Sequence, residues 1–180
     1  MKKIYSGAMT VVTVLIMSLS IATGSDEVIT ADNPGTERIS NLKDLFGETL
    51  VNADGDMVDI AELDGEKIGI YFSALWCPPC RAFTPSLVNA YNELKEQGKP
   101  FDLVFVSHDR SEDAMARYMQ DYDMPWQALN FNDPRRENLT TKFGVRGLPT
   151  LVIVDADGDL LSSDGRSDVA EHGAAAFDMW

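Results

Sequence analysis

An α/β domain with a mixed β-sheet flanked by helices is the fold class that the sequence predicts. Two continuous apolar stretches of strand length, 67–74 and 101–107, are each followed by apolar residues at helical spacing. Strands that alternate with helices are typical of parallel sheets, because a helix carries the chain back to the start of the next strand. A last apolar stretch, 150–162, contains an Asp-Gly turn, which predicts an antiparallel hairpin in the same sheet.

The first 24 residues have the features of a secretory signal peptide. Lys2 and Lys3 supply a positive start, residues 8–22 are apolar, and small residues at 22–24 suit cleavage. The apolar stretch is shorter than the roughly 20 residues that span a bilayer, but a retained membrane anchor is the alternative. The sequence therefore predicts a periplasmic or secreted protein.

The next residues, 25–38, are polar and irregular, and we expect a linker there. The domain itself is expected over residues 39–180. Residues 49–60 contain two apolar arms around an Asp-Gly pair, which predicts an N-terminal β-hairpin extension of the sheet.

Two helices are predicted between the strands. The first begins at Pro78, because a proline lacks only an N–H that has no partner in a first helical turn, and Gly98 is a suitable end. Pro85 predicts a kink within it. Ser111 is a suitable N-cap for the second helix. The buried faces are predicted from Phe83, Leu87, Tyr91 and Leu94 in the first, and from Met115, Tyr118, Met119 and Tyr122 in the second. A short C-terminal helix is expected to close the domain.

Size and charge limit the classes of function. The chain has 180 residues, of which 44% are hydrophobic, enough for one domain with a buried core. A formal net charge of −14 leaves no basic stripe to displace counterions from phosphates, so nucleic acid is not expected as a partner.

The chain contains only two cysteines, Cys77 and Cys80, in the stretch WCPPC. A structural disulfide between them would close a very short loop and would restrict the unfolded chain little. A structural zinc site needs four ligands, and the two histidines, His108 and His172, are distant in sequence. A redox-active disulfide is the favoured interpretation, with no metal and no other cofactor.

The segment YFSALWCPPCRAFTPSL resembles the thioredoxin superfamily, and more narrowly its tryparedoxin and nucleoredoxin branch. The segments FVSHDRSED, MPW and FGVRGLPTLVIVDADGD extend the resemblance over roughly residues 40–180. It implies the thioredoxin fold, a central mixed sheet flanked by helices, with the cysteine pair at a helix start. It also implies that Pro149 is a cis-proline facing the cysteines.

The expected roles of the two thiols differ. Cys77 lies at a helix N-terminus, where the dipole and free N–H groups favour a thiolate, so we expect it to attack a substrate disulfide. Cys80, one turn further, is expected to resolve the mixed disulfide. Trp76 is interpreted as a contact surface beside Cys77, with a core position as the alternative. The backbone of Leu148, before Pro149, is expected to pair with a bound peptide.

Four further residues are candidate modulators. Tyr71 stands where thioredoxins carry a buried acid, six residues before the first cysteine, and is either a proton relay or strand core. Arg81 either supports the thiolate or points to water. His108 ends a buried strand at the edge where open α/β sheets place their sites, and Trp126 belongs either to the core or to the rim of the site.

The function predicted from these residues is that of an exported thiol–disulfide oxidoreductase acting as a reductase of protein disulfides. Pro78 and Pro79 lack N–H groups that would stabilise a thiolate, which favours a reducing pair. The expected partners are disulfide-containing proteins and an electron-donor protein such as a membrane thiol carrier. The alternative is a non-catalytic binding or adaptor protein of the same fold, in which the pair gates a partner.

Overall fold

A seven-stranded mixed sheet forms the centre of the computed structural model, which describes residues 34–180. The helices are α1 (Pro34–Phe46), α2 (Pro78–Glu96), α3 (Glu112–Asp121), α4 (Arg135–Lys142) and α5 (Gly165–His172), with 3-10 turns at Ile60–Glu62 and Gly173–Met179. The strands are β1 (Thr49–Val51), β2 (Met57–Asp59), β3 (Lys67–Ser73), β4 (Phe101–Ser107), β5 (Gln127–Ala128), β6 (Thr150–Asp155) and β7 (Leu160–Ser162). The strand order is β2-β1-β5-β4-β3-β6-β7.

Strand β3 lies between β4 and β6 and fixes the register of the sheet centre. It runs parallel to β4, with Lys67 opposite Phe101 and Ser73 opposite Ser107. It runs antiparallel to β6, which continues as a hairpin into β7. The predicted α/β class, the parallel first strands, the antiparallel final hairpin and the hairpin extension, β1–β2, are therefore confirmed.

Each face of the sheet carries its own core, because alternate residues of a strand point to opposite faces. In β3, Tyr71 faces one side, and Ile70 and Phe72 face the other. The first side is covered by α2 and α3, and the second by α1 and α4. The first core includes Phe83, Leu87, Tyr91, Met115, Tyr118 and Trp126, and the second includes Leu42, Phe46, Ile68, Val104 and Leu139.

The start of the domain differs from the sequence prediction. Residues 34–38, which we expected in the linker, are helical, because α1 begins at Pro34. Arg38 holds this first part of α1 against the 63–65 backbone, because its guanidinium donates to Leu63 O at 2.7 Å and to Gly65 O at 3.0 Å. The predicted signal peptide and residues 25–33 lie outside the described residues. Within residues 34–180, no helix is long and apolar enough to cross a membrane.

The helix boundaries follow the predicted signals. The Ser111 hydroxyl accepts from Ala114 N at 3.2 Å and caps α3. Gly98, just beyond α2, has a φ of 68°, in the left-handed region that favours glycine. Pro85 lies inside α2, the helix in which the sequence predicted it.

Four hydroxyl groups form a buried ring between β3, α2 and α3. Thr84 Oγ1 lies 2.8 Å from Tyr71 Oη and 2.6 Å from Tyr118 Oη. Ser73 Oγ donates to Tyr71 Oη at 2.9 Å and lies 3.0 Å from Tyr118 Oη. Thr84 also donates to Cys80 O at 2.9 Å, so the ring is tied to the first turn of α2. All four residues have no exposed surface.

Loss of the Thr84 hydroxyl should destabilise the protein. Thr84→Val keeps the side-chain shape but leaves buried tyrosine hydroxyls with fewer partners, so the free energy of unfolding should fall by about 1–3 kcal/mol. Thr140→Val is a matched control, because Thr140 makes the same bond to the carbonyl four residues earlier (2.7 Å) at a half-buried position where water can replace it. Urea unfolding measures both, and equal losses would contradict the role assigned to the ring.

Candidate active site

The two cysteines lie where the chain passes from β3 into α2, and they form a disulfide. Cys77 is the N-cap of α2 and has extended backbone angles, and Cys80 lies in the first helical turn. Their Cα atoms are 5.3 Å apart. The N-terminus of a helix carries free N–H groups and partial positive charge, so a thiolate on Cys77 is stabilised there.

The two cysteines differ in burial. Cys77 retains 5% of its surface exposed, whereas Cys80 has none. An incoming disulfide can therefore reach Cys77 after a small displacement of its surroundings, but cannot reach Cys80. The attacking role of Cys77 stays a prediction, and the difference in burial is compatible with it.

The first turn of α2 has few hydrogen-bond donors for the Cys77 sulfur. Pro78 and Pro79 occupy the first two helical positions, and neither has an N–H. The Cys77 side chain makes no capping hydrogen bond. The helix dipole and the Cys80 N–H remain to stabilise a thiolate.

The segment before β6 faces the disulfide. The Leu148–Pro149 peptide bond is cis, as the resemblance implied. Leu148 O lies 3.8 Å from Cys77 Sγ, and Pro149 is buried. The carbonyl of Leu148 is therefore next to the reactive sulfur, where a peptide bound across the site would meet it.

Trp76 lies on the surface beside the disulfide. Its side chain is 53% exposed, and its Nε1 donates to His108 O at 2.9 Å, so the indole is held in one orientation. Together with Leu75, Arg110 and Ala114 it lines a shallow apolar cleft. Of the two interpretations of Trp76, the structure agrees with the contact surface and excludes the core.

Asp109 is a component of the site that the sequence reading missed. Its carboxylate accepts from Leu75 N at 2.9 Å and from Ser107 Oγ at 2.9 Å. The residue is 6% exposed, and burial raises the pKa of its carboxyl, while the bonds from Ser107 and Leu75 oppose that rise. Its position just after β4, at the same sheet edge as Cys77, was the available signal, but its partners Leu75 and Ser107 could not be assigned from the segment HDRSED alone.

Three predicted modulators lie away from the sulfur atoms or in solvent. Trp126 belongs to the core and packs edge-on against Tyr91, with 5.4 Å between ring centroids. Arg81 is exposed, and its side chain forms no hydrogen bond or ion pair within residues 34–180. His108 Nε2 is 3.4 Å from Thr140 Oγ1, and burial, together with the nearby Arg136 charge, lowers the pKa of the imidazole.

Tyr71 lies behind the site, in the hydroxyl ring. Its hydroxyl contacts Ser73 and Thr84 and makes no hydrogen bond to a cysteine sulfur. Burial, and then the neighbouring Tyr118, raises the pKa of Tyr71 far above its ordinary value. A neutral Tyr71 fixed in a ring suits a structural role better than the proton relay considered from the sequence.

Comparison with known proteins agrees with this geometry. A thioredoxin-like family profile matches residues 65–160. Nucleoredoxin of Bos taurus is 39% identical over 129 residues, which is 71% of this chain but 29% of that protein. The chain thus spans less than a third of the length of that relative.

Solved thioredoxin and tryparedoxin chains are matched over nearly their whole length. Tryparedoxin from Trypanosoma brucei superposes with a TM-score of 0.69 at 32% identity, covering 78% of this chain and 97% of that chain. Thioredoxin from Wuchereria bancrofti gives a TM-score of 0.66 at 33% identity, covering 75% and 94%. The chain therefore belongs to the thioredoxin superfamily, in its tryparedoxin- and nucleoredoxin-like branch.

Proposed function

We propose that this protein is a thiol–disulfide oxidoreductase that reduces disulfide bonds in other proteins. One observation carries the proposal: a disulfide at a helix N-terminus in which Cys77 is marginally exposed and Cys80 is fully buried. This asymmetry suits two-step exchange, since one thiol must meet the substrate and the other must stay protected until the mixed disulfide has formed.

The reaction balances with the two cysteines alone. In the reduced protein, the Cys77 thiolate attacks one sulfur of the substrate disulfide, and the other substrate sulfur leaves as a thiolate and takes up a proton. The Cys80 thiol loses its proton and attacks Cys77 Sγ, which releases the second substrate thiol. Two electrons pass to the substrate, and the Cys77–Cys80 disulfide forms.

The surroundings of Cys77 suit an extended peptide as substrate. The Leu148 carbonyl near the sulfur can accept a backbone N–H from such a peptide, as in strand addition, and the Pro149 ring adds no competing N–H. The exposed indole of Trp76, the residue before Cys77, offers an apolar surface. Both are general protein-contact features, which favours disulfide-containing proteins as a substrate class.

The expected direction of the reaction follows from the number of hydrogen-bond donors around the Cys77 sulfur. Stabilising the thiolate stabilises the reduced form and makes a pair more oxidising, and here Pro78 and Pro79 remove two donors. We therefore place the pKa of Cys77 near thioredoxin's value of about 7, not near the roughly 3.5 of the strong oxidant DsbA. A reductase needs a supply of electrons, and a donor protein such as a membrane thiol carrier would provide it.

Removal of each cysteine should have a different effect. Cys77→Ser should abolish the reduction of insulin disulfides, because no exposed nucleophile remains. Cys80→Ser should also stop turnover but should accumulate a covalent mixed disulfide with the substrate, because the resolving step is lost. Turbidity measures the first effect, and non-reducing electrophoresis with mass spectrometry measures the second. A wild-type protein that binds partners without any turnover would favour the adaptor function instead.

The redox potential should be that of a reductase. Equilibration with glutathione should give a midpoint nearer the roughly −270 mV of thioredoxin than the roughly −120 mV of DsbA. An N-cap side chain accepts from the second or third helical N–H, so Pro79→Ala restores a donor for the sulfur and should raise the midpoint. Pro78→Ala is the matched control, and it should raise the midpoint potential less. A wild-type midpoint above about −150 mV would show an oxidant.

Export of the protein is a further part of the proposal. Lys2 and Lys3, followed by the apolar residues 8–22, support it. Expressed from the full sequence in a bacterium, the protein should appear in the periplasm with a new N-terminus near residues 22–25. N-terminal sequencing of each cell fraction tests this, with a variant lacking residues 2–22 as the cytoplasmic control. Intact residues 1–22 in the membrane fraction would establish an anchor.

A further inference from the structure

We propose that Asp109 is a positioning residue of the redox centre, which fixes the segment before Cys77 and whose negative charge makes the cysteine pair more reducing. The proposal rests on the redox role of Cys77 and Cys80. It assigns a function to a buried acid that takes no part in the exchange steps themselves.

The segment after β4 holds the segment before Cys77 through three successive contacts. His108 N donates to Ser73 O at 2.8 Å. Asp109 Oδ1 accepts from Leu75 N at 2.9 Å, and His108 O accepts from Trp76 Nε1 at 2.9 Å. The Asp109 contact is the only one of the three that a side-chain substitution removes while leaving Trp76 itself intact.

The hydrogen bonds of Asp109 are those of an ionised carboxylate. Both oxygens accept a hydrogen bond, one from Leu75 N and the other from Ser107 Oγ, and donors at both oxygens favour the ionised form. Asp109 N also donates to Ser107 Oγ at 3.0 Å, which leaves the hydroxyl hydrogen available to the carboxylate. Burial favours the neutral acid, but these two donors oppose it.

No cation within residues 34–180 forms an ion pair with this carboxylate. Among the residues that the structure describes, the charged or titratable side chains next to the Asp109 carboxylate are those of His108 and Arg110. Burial lowers the pKa of the His108 imidazole, which favours its neutral form. Arg110 lines the cleft beside Trp76 together with Asp109, but its side chain is exposed and makes no salt bridge to Asp109. Within residues 34–180, the Asp109 charge is therefore not paired with a positive side chain.

The charge is close enough to Cys77 to affect its thiolate. Asp109 Oδ1 lies 2.9 Å from Leu75 N, and Cys77 N donates back to Ala74 O at 3.1 Å, so the carboxylate lies within roughly 12 Å of the sulfur. At an effective dielectric constant of about 20, a unit charge at that distance raises the pKa of a thiol by roughly one. A less stable thiolate stabilises the reduced pair less, so the pair becomes a stronger reductant.

Asp109→Asn separates charge from geometry. The amide oxygen can still accept from Leu75 N, and the amide nitrogen can donate to Ser107 Oγ, so the loop stays in place. The Cys77 pKa should fall by roughly one. If it falls from about 7 to about 6, the equilibrium with glutathione at pH 7 should shift roughly fivefold toward the reduced form of the protein. Asp113→Asn, at an exposed position of α3, removes the same charge and should change either value little.

The thiol pKa is measured by the pH dependence of alkylation of Cys77, and the equilibrium by quantifying dithiol in glutathione buffers. Neither needs turnover, so a failure of insulin reduction would refute the proposed function without touching these results. Asp109→Asn values equal to those of Asp113→Asn in a folded protein would overturn the proposal, as would a higher Cys77 pKa. If Asp109→Asn does not fold, Asp109→Ser also removes the charge and gives the same comparison.

Discussion

The residue at which α2 begins is the constraint on which the redox site depends. With Cys77 as the N-cap, its sulfur lies at the positive end of the α2 dipole, and Cys80 falls one turn inside, within bonding reach and out of solvent. A start one residue later would move Cys77 out of the cap. Pro78 secures the boundary, because its fixed φ suits a first helical position and its missing N–H costs no hydrogen bond there.

The central strands hold that boundary in place. β3 is paired along its length with both β4 and β6, and it ends at Ser73, so only Ala74, Leu75 and Trp76 separate the sheet from the helix cap. The same sheet edge delivers the other parts of the site: His108 and Asp109 follow β4, and Leu148 and Pro149 precede β6. Parallel and antiparallel neighbours thus bring three chain segments to one edge of the sheet, and the hydroxyl ring locks the first turn of α2 onto the sheet from behind.

The sequence was informative wherever burial imposes a repeating pattern. The strands at 67–73, 101–107 and 150–155 are continuous apolar stretches, and α2 and α3 show one-sided apolar spacing with recognisable ends. The two-residue β5 and the polar α4 carry no such pattern, because their places are decided by tertiary contacts. Helix α1 was missed for the same reason, since its stabilising partner, the 63–65 backbone, is distant in sequence. In the site, the roles of Cys77 and Cys80 were predicted from the properties of a helix N-terminus, whereas the cis conformation of Pro149 was predicted only from the family resemblance. Asp109 and the hydroxyl ring were not visible, because their meaning depends on partners in other elements.

The short outer strands of the sheet affect how the protein behaves when crowded. Within residues 34–180, β2 and β7 are the edge strands, and each has three residues. Long unpaired edges invite other chains to add strands and to aggregate, and short edges beside acidic turns such as Asp54–Asp56 and Asp157–Asp159 offer little for such growth. An extended polypeptide that reaches either margin of the sheet therefore finds few unpaired backbone groups with which to continue it.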